Sequence, residues 1–224
     1  MKARVKLAET TTAEGANLAL YEHDGTYCIS YAGQELMHSA ANASELLLGE
    51  VGVARLQSTA EARVLIGGLG LGFTLRSVLQ NVAPTVTVEQ IELLSEIVQW
   101  NRDYLSSLNG DLLRDPRVAM YVADVVDYVR RSERDRYDVI LLDVDNGPVA
   151  MVAEGNASLY SNSGLRHLRA ALKPGGRVVF WSAGPDLRFE GRLQRAGFRV
   201  TKLPAKVHVG AKRAAYMLYV ADDL

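Results

Sequence analysis

From about Ala62 onward, short continuous apolar runs alternate with segments whose apolar residues recur every three to four positions. This pattern predicts strands at 63–67, 86–91, 117–122, 137–143 and 176–182, and helices near 73–81, 93–107, 124–131 and 159–172. A run such as Val139-Ile-Leu-Leu142 has no polar face, so helices must cover it on both sides. The expected fold is therefore α/β, a doubly wound, mostly parallel, Rossmann-like sheet. Lys173-Pro-Gly-Gly176 ends one helix and starts the next strand. After Gly197, the segments 198–202, 205–210 and 215–221 predict a closing antiparallel hairpin at the sheet edge.

The first 38 residues carry a different pattern. Leu18 and Leu20 alternate around Ala19, and Tyr27, Ile29 and Tyr31 alternate after the turn signal Asp24-Gly25, with a second turn at Ala32-Gly33. These residues predict a small antiparallel β unit. Ser39 to Leu56 then reads as a helix, with Leu46, Leu47 and Val51 on one side. The expected division is an N-terminal unit with its connecting helix over residues 1–55 and a nucleoside-binding Rossmann-like domain over 56–224. The sequence between them is not linker-like, so the two should pack directly.

Composition narrows the partners. The chain has 224 residues, 48% hydrophobic and 23% charged, with a formal net charge of −1, which does not point to nucleic acid. The one basic run, Arg130-Arg131-Ser-Glu-Arg134-Asp-Arg136, is broken by acids and reads as a solvated loop. Cys28 is the single cysteine and the four histidines are scattered, so no metal site is expected. No apolar run approaches the roughly 20 residues that span a bilayer, and Met-Lys-Ala-Arg-Val-Lys is not followed by an apolar signal core. The expectation is a cytoplasmic protein with no membrane partner.

The chemistry starts at the glycine cluster. Val64 to Ile66 runs into Gly67-Gly-Leu-Gly-Leu-Gly72, and a helix-compatible segment follows. This is a buried strand, a tight turn and a helix start, with bare backbone open to a ligand. Gly68, Gly70 and Gly72 give G-x-G-x-G; the dinucleotide fingerprint would need glycine where Phe73 stands, and no G-K-[ST] follows. A nicotinamide dehydrogenase is disfavoured and a P-loop excluded. What remains is a nucleoside site without a strong phosphate cradle, as a nucleoside sulfonium such as S-adenosylmethionine needs.

Ligands in open parallel sheets bind beyond the carboxyl ends of the strands. Glu92 ends the second strand, 20 residues after Gly72, where an acid accepts from ribose hydroxyls; the plain alternative is an acid complementing a helix dipole. Asp124 ends the third strand, facing an adenine amino group or simply capping a helix. The fourth strand leads into Asp143-Val-Asp145-Asn146-Gly147-Pro148, where Asp143 and Asp145 suit a cationic ligand or an amine that must lose a proton. The alternative there is a turn built of turn-forming residues. Weaker candidates are Trp181 and Ser182 at the fifth strand's end, Tyr160 at a helix start, and His38; such residues are more often core or surface groups.

These residues resemble the spermidine synthase family of aminopropyltransferases. The resemblance runs from about residue 15 and is clearest in Val64-Leu-Ile-Gly-Gly-Leu-Gly-Leu-Gly-Phe-Thr-Leu-Arg76, Asp115-Pro-Arg-Val118, Tyr137-Asp-Val-Ile-Leu-Leu-Asp143 and Leu159-Tyr160. It implies a class I methyltransferase-type fold with a small N-terminal β unit and a homodimer. It also implies ribose binding by Glu92, adenine facing Asp124, and Asp143 holding and deprotonating the attacking amine. The family's glycine loop reads G-G-G-D-G-G, and its aspartate, which holds the donor's aminopropyl nitrogen, falls on Leu71. The second aspartate of its D-S-S-D-P falls on Asn146, with Asp145 as a neighbouring substitute, and the acid after Glu-Ile falls on Leu94. The gate segment reads Leu36-Met37-His38-Ser39. Three readings stay open. One is transfer of an aminopropyl group from decarboxylated S-adenosylmethionine to a small amine, with Asp143 and Asp145 catalytic and Asn146, Tyr160 and Trp181 binding substrate. The second is methyl transfer from intact S-adenosylmethionine to a small acceptor, which Leu71 favours. The third is a non-catalytic nucleoside-binding relative.

Overall fold

The structure, a computed structural model, describes residues 3–12, 15–56, 61–144 and 158–224. Four antiparallel strands open it: β1 (Val5–Thr11), β2 (Asn17–His23), β3 (Thr26–Tyr31) and β4 (Gln34–His38), paired in that order. Both predicted turns are present. Asp24 and Gly25 have φ of 48° and 78°, and Ala32 and Gly33 have 50° and 78°. Two successive left-handed residues match the strands' own twist, which is why these two-residue loops close hairpins.

Helix α1 (Ala43–Val53) follows, then β5 (Arg63–Gly67), α2 (Phe73–Asn81), β6 (Thr87–Glu92), α3 (Ser95–Asp103), α4 (Ser106–Asn109), β7 (Val118–Val122), α5 (Val125–Arg131), β8 (Tyr137–Leu142), α6 (Asn162–Ala171), β9 (Leu172–Ser182), α7 (Leu187–Arg195), β10 (Phe198–Ala205) and β11 (Tyr216–Asp223). The second sheet has the order β10-β11-β9-β8-β5-β6-β7. Strands β9-β8-β5-β6-β7 are parallel, and β11 enters antiparallel between β9 and β10. The sequence order reverses on either side of β5, so the switch point lies between β5 and β8.

Alternate residues of the central strands feed two cores. Val64, Ile66, Val139 and Leu141 join one with α1, α2 and α3; Leu65, Ile140 and Leu142 join the other with α5, α6 and α7. Leu18, Leu20 and Ile29 of the small sheet belong to the first core, so the small sheet packs directly on the larger assembly. Helix α1 lies against α2, β8 and β9. Gly49 and Gly52 permit this close approach: a Cβ on Gly52 would stand 2.4 Å from Leu141, and one on Gly49 would stand 2.6 Å from Ser77.

Several expectations need correction. Helix α7 falls where the periodicity predicted none. Asp186 caps it by accepting from the backbone N–H of Arg188 (2.8 Å) and Phe189 (3.0 Å), and Phe189 and Leu193 bury four residues apart. Segment 205–210 is no separate strand. Its alternation lacks a buried face: Val209 is 82% exposed, and the Val207 carbonyl instead accepts from the Ala43 N–H at 3.2 Å. The predicted 93–107 helix breaks at Tyr104 and Leu105, and β9 starts at Leu172, ahead of the proline. Arg136, read as part of a solvated run, donates to buried Glu89 at 2.6 Å beside the hydroxyls of Tyr128 and Tyr137. Among the described residues no helix is long and apolar enough to cross a membrane.

Candidate functional site

The glycine loop is strapped between two strand ends. The Gly68 N–H donates to the Ile91 carbonyl (2.9 Å) and the Asp143 N–H to the Gly67 carbonyl (2.8 Å). Gly68 sits at φ +90°, and a Cβ there would stand 2.0 Å from the Asp143 carbonyl oxygen, so only glycine fits on both grounds. Gly68 and Gly70 line the site. Gly72 does not; it begins α2 and packs toward Asn101, Asn109 and Leu112. The two asparagines brace the loop: the Asn101 amide donates to the Gly70 carbonyl at 2.8 Å, and the Asn109 amide donates to that of Leu71. Beneath the loop, the fully buried Gln90 amide donates to the Gly68 carbonyl at 2.8 Å.

Glu92 closes the loop from below. Its Oε2 accepts from the Leu69 N–H at 2.8 Å and its Oε1 from the Leu94 N–H at 3.0 Å. Burial pushes its pKa up, against the pull of the backbone donors at Leu94, Leu69, Gly70 and Leu93. Asp124 combines both of its sequence readings. It caps α5 by accepting from the Val126 N–H at 2.7 Å, and it also lines a small hollow of about 80 Å³ with Gly68, Glu92 and Ile97.

Asp143 lies where that hollow meets a larger cleft of about 730 Å³; Leu36, Met37, Gly70 and Val144 are also common to both walls. The Thr74 hydroxyl donates to Asp143 Oδ2 at 2.6 Å. The Asp143 pKa is pushed up to about 7, first by burial and next by the negative charge of Glu45, with Thr74 opposing and Glu92 adding. The cleft is otherwise walled by Leu69, Leu71, Phe73, Trp181 and Tyr216, with His38 at one side. Leu71 is 4% exposed, so the position that carries an aspartate in the resembled family is apolar wall here.

Among the sequence candidates, the structure thus gathers Gly68, Gly70, Glu92, Asp124, Asp143 and Trp181 at the carboxyl ends of the strands. Tyr160 lines neither cavity. Its ring packs 5.2 Å from Phe189 and 5.8 Å from Phe180 on the opposite face, and its carbonyl accepts from Arg192. Asp145 and Asn146 lie outside the described residues. Glu45, Thr74, Asn101 and Asn109 went unread in the sequence. Glu45 looks there like any acid in a first helical turn, and only the packing of α1 over β8 turns it toward Asp143.

No family model matches the chain. Among curated proteins, a polyamine aminopropyltransferase of Prochlorococcus marinus (strain NATL1A) is 28% identical over 129 residues, covering 58% of this chain and 43% of that protein. One from Corynebacterium efficiens is 30% identical over 162 residues, covering 69% of this chain and 30% of its own length. The chain thus spans less than half the length of these relatives. Spermidine synthase from Thermotoga maritima superposes with a TM-score of 0.74 at 18% identity, over 98% of this chain and 72% of that one. A spermidine synthase in complex with the transition state analogue AdoDATO gives 0.76 at 19%, over 98% and 74%. At that identity the superpositions establish the fold alone, a doubly wound, mostly parallel sheet with a small N-terminal β unit.

Proposed function

We propose that this divergent spermidine synthase-like chain moves an aminopropyl group from decarboxylated S-adenosylmethionine to a small amine. The charge of the cleft carries the reading. Glu35, Glu45 and Asp143 line it, Glu92 and Asp124 line the adjoining hollow, and neither Lys nor Arg is among the described lining residues. Such walls favour a sulfonium and an amine, whereas the carboxylate of intact S-adenosylmethionine would meet like charge with no Lys or Arg to pair with.

In this reading Glu92 holds the ribose, Asp124 the adenine edge, and Gly68 and Gly70 let the nucleoside lie against backbone. The amine's lone pair attacks the carbon joined to the sulfonium. As the C–N bond forms, the C–S bond breaks, its electron pair neutralises sulfur, and a neutral thioether nucleoside leaves. The nitrogen sheds its proton to Asp143, whose pKa of about 7 suits a base at neutral pH. Because the leaving group is already activated, positioning supplies much of the rate. Trp181 would form part of the acceptor wall, and Asp145 and Asn146 remain sequence-based candidates beside Asp143.

Methyl transfer from intact S-adenosylmethionine is the second reading, favoured by the apolar Leu71 in the cleft wall. Calorimetric titration with each donor separates the two. Tighter binding of the decarboxylated form, and a thioether nucleoside released with an alkyl diamine, are expected. Tighter binding of the intact form would overturn the proposal.

A further inference from the structure

Helix α1 brings into the cleft an acid that the reaction scheme above does not use. Glu45 stands in its first turn. The only side-chain partner of Glu45 among the described residues is its neighbour: the Ser44 hydroxyl donates to Oε2 at 2.5 Å. Thr74 links Asp143 to the backbone of α1: its hydroxyl donates to Asp143 Oδ2 at 2.6 Å and lies 3.4 Å from the Glu45 backbone carbonyl. From β11, Tyr216 faces Glu45, and its ring lies 4.8 Å from that of Trp181. The other titratable groups are Glu35 and His38 of β4 in the cleft, and Glu92 and Asp124 in the adjoining hollow.

The physical situation is specific. Two carboxylates from different elements share a largely apolar cleft, neither has a cationic partner among the described residues, and each disfavours ionisation of the other. Burial raises both pKa values and the Glu45 charge raises that of Asp143 further, with Ser44 and Thr74 opposing. Glu45 lines the same cleft as Trp181 and Tyr216, and burial and the Glu45 charge raise the Tyr216 pKa. One ammonium group would relieve the repulsion and could rest against aromatic faces, which attract cations.

We propose that Glu45 is a specificity-determining residue of this site, holding with Asp143 the ammonium group of an alkyl amine against the Trp181–Tyr216 wall. This rests on the transferase reading and adds to it the residue that selects a cationic acceptor over a neutral one.

The test uses the full chain as wild type, Glu45→Gln and Glu45→Asp, titrated calorimetrically with 1,4-diaminobutane and with the neutral 1,4-butanediol, each with and without 5′-methylthioadenosine. Glutamine keeps an oxygen for the Ser44 hydroxyl, and urea unfolding confirms that each variant is folded. Wild type should bind the diamine and not the diol. Glu45→Gln should weaken diamine binding at least tenfold, and Glu45→Asp should restore part of it. The nucleoside's affinity should change less than twofold. Diamine affinity should rise between pH 5 and 8 in wild type and less steeply in Glu45→Gln. Equal diamine affinity in wild type and Glu45→Gln, no diamine binding at all, or equal binding of the diol would each overturn the inference. Failure of the nucleoside to bind wild type would instead overturn the nucleoside-site reading, and the titrations without nucleoside still decide Glu45.

Discussion

Replacing Asp143 by Asn should stabilise the protein at alkaline pH. The acid's ordinary pKa of 3.8 is raised to about 7 in the folded chain, by burial and by Glu45. A carboxyl whose folded pKa is raised binds its proton more tightly when folded. Its contribution to stability is therefore fully present below about pH 4 and is lost as pH rises through about 7. The shift is roughly three units, and each unit corresponds to about 1.4 kcal/mol, so the ceiling is about 4 kcal/mol. One edge of Asp143 meets the cleft and remains partly solvated, so about 2–3 kcal/mol is the expected size. Asn is isosteric, stays neutral and keeps an oxygen for the Thr74 hydroxyl. Urea unfolding of wild type and variant from pH 4.5 to 8.5 measures the difference directly. It should be smallest at pH 4.5, grow toward neutrality and level off above pH 7, with a melting-temperature gain of roughly 5–10 °C at pH 8.5. A variant less stable than wild type at pH 8.5, or a difference independent of pH, would refute the account. Under the transferase proposal the same variant loses turnover by orders of magnitude, a stability–activity trade at one residue.

Three further outcomes are expected. Gly68→Ala puts a Cβ 2.0 Å from the Asp143 carbonyl at a positive φ; it should lower stability by at least about 2 kcal/mol and remove nucleoside binding, and a melt unchanged within error would contradict the loop geometry. Glu92→Ala should weaken 5′-methylthioadenosine binding at least tenfold by calorimetry, since it removes the proposed ribose acceptor and frees the Leu69 and Leu94 N–H groups; unchanged affinity would withdraw Glu92 from the site. Thr74→Val deletes the donor that favours the Asp143 carboxylate. The acid limb of the pH–rate profile should then move toward higher pH, by about one unit for one charge-assisted hydrogen bond, and a shift toward lower pH would reverse the assigned role of Thr74.

Much of this protein is written locally. Continuous apolar runs such as Val139 to Leu142 require cover on both faces, and the parallel central sheet follows. Asp24-Gly25 and Ala32-Gly33 close their hairpins through backbone preferences of adjacent residues. The glycine loop and the acids at strand ends, Glu92, Asp124 and Asp143, were legible because strand ends in such a sheet converge on one edge. What sequence spacing could not supply is contact between distant segments. Glu45 and Asp143 are 98 positions apart and meet because Gly49 and Gly52 let α1 lie close against α2 and β8. Tyr160 and Trp181 are alike as lone aromatics in the sequence, yet Tyr160, in the turn before α6, packs on the second core, while Trp181 of β9 lies on the cleft wall. Helix α7 was hidden because its first turn mixes polar and apolar residues, and only Phe189 and Leu193 have a core to enter. Local residue order sets the layers and the loop. Which carboxylates share a cavity, and how strongly each holds its proton, follows from packing, because burial and charge proximity are properties of the folded chain rather than of its order.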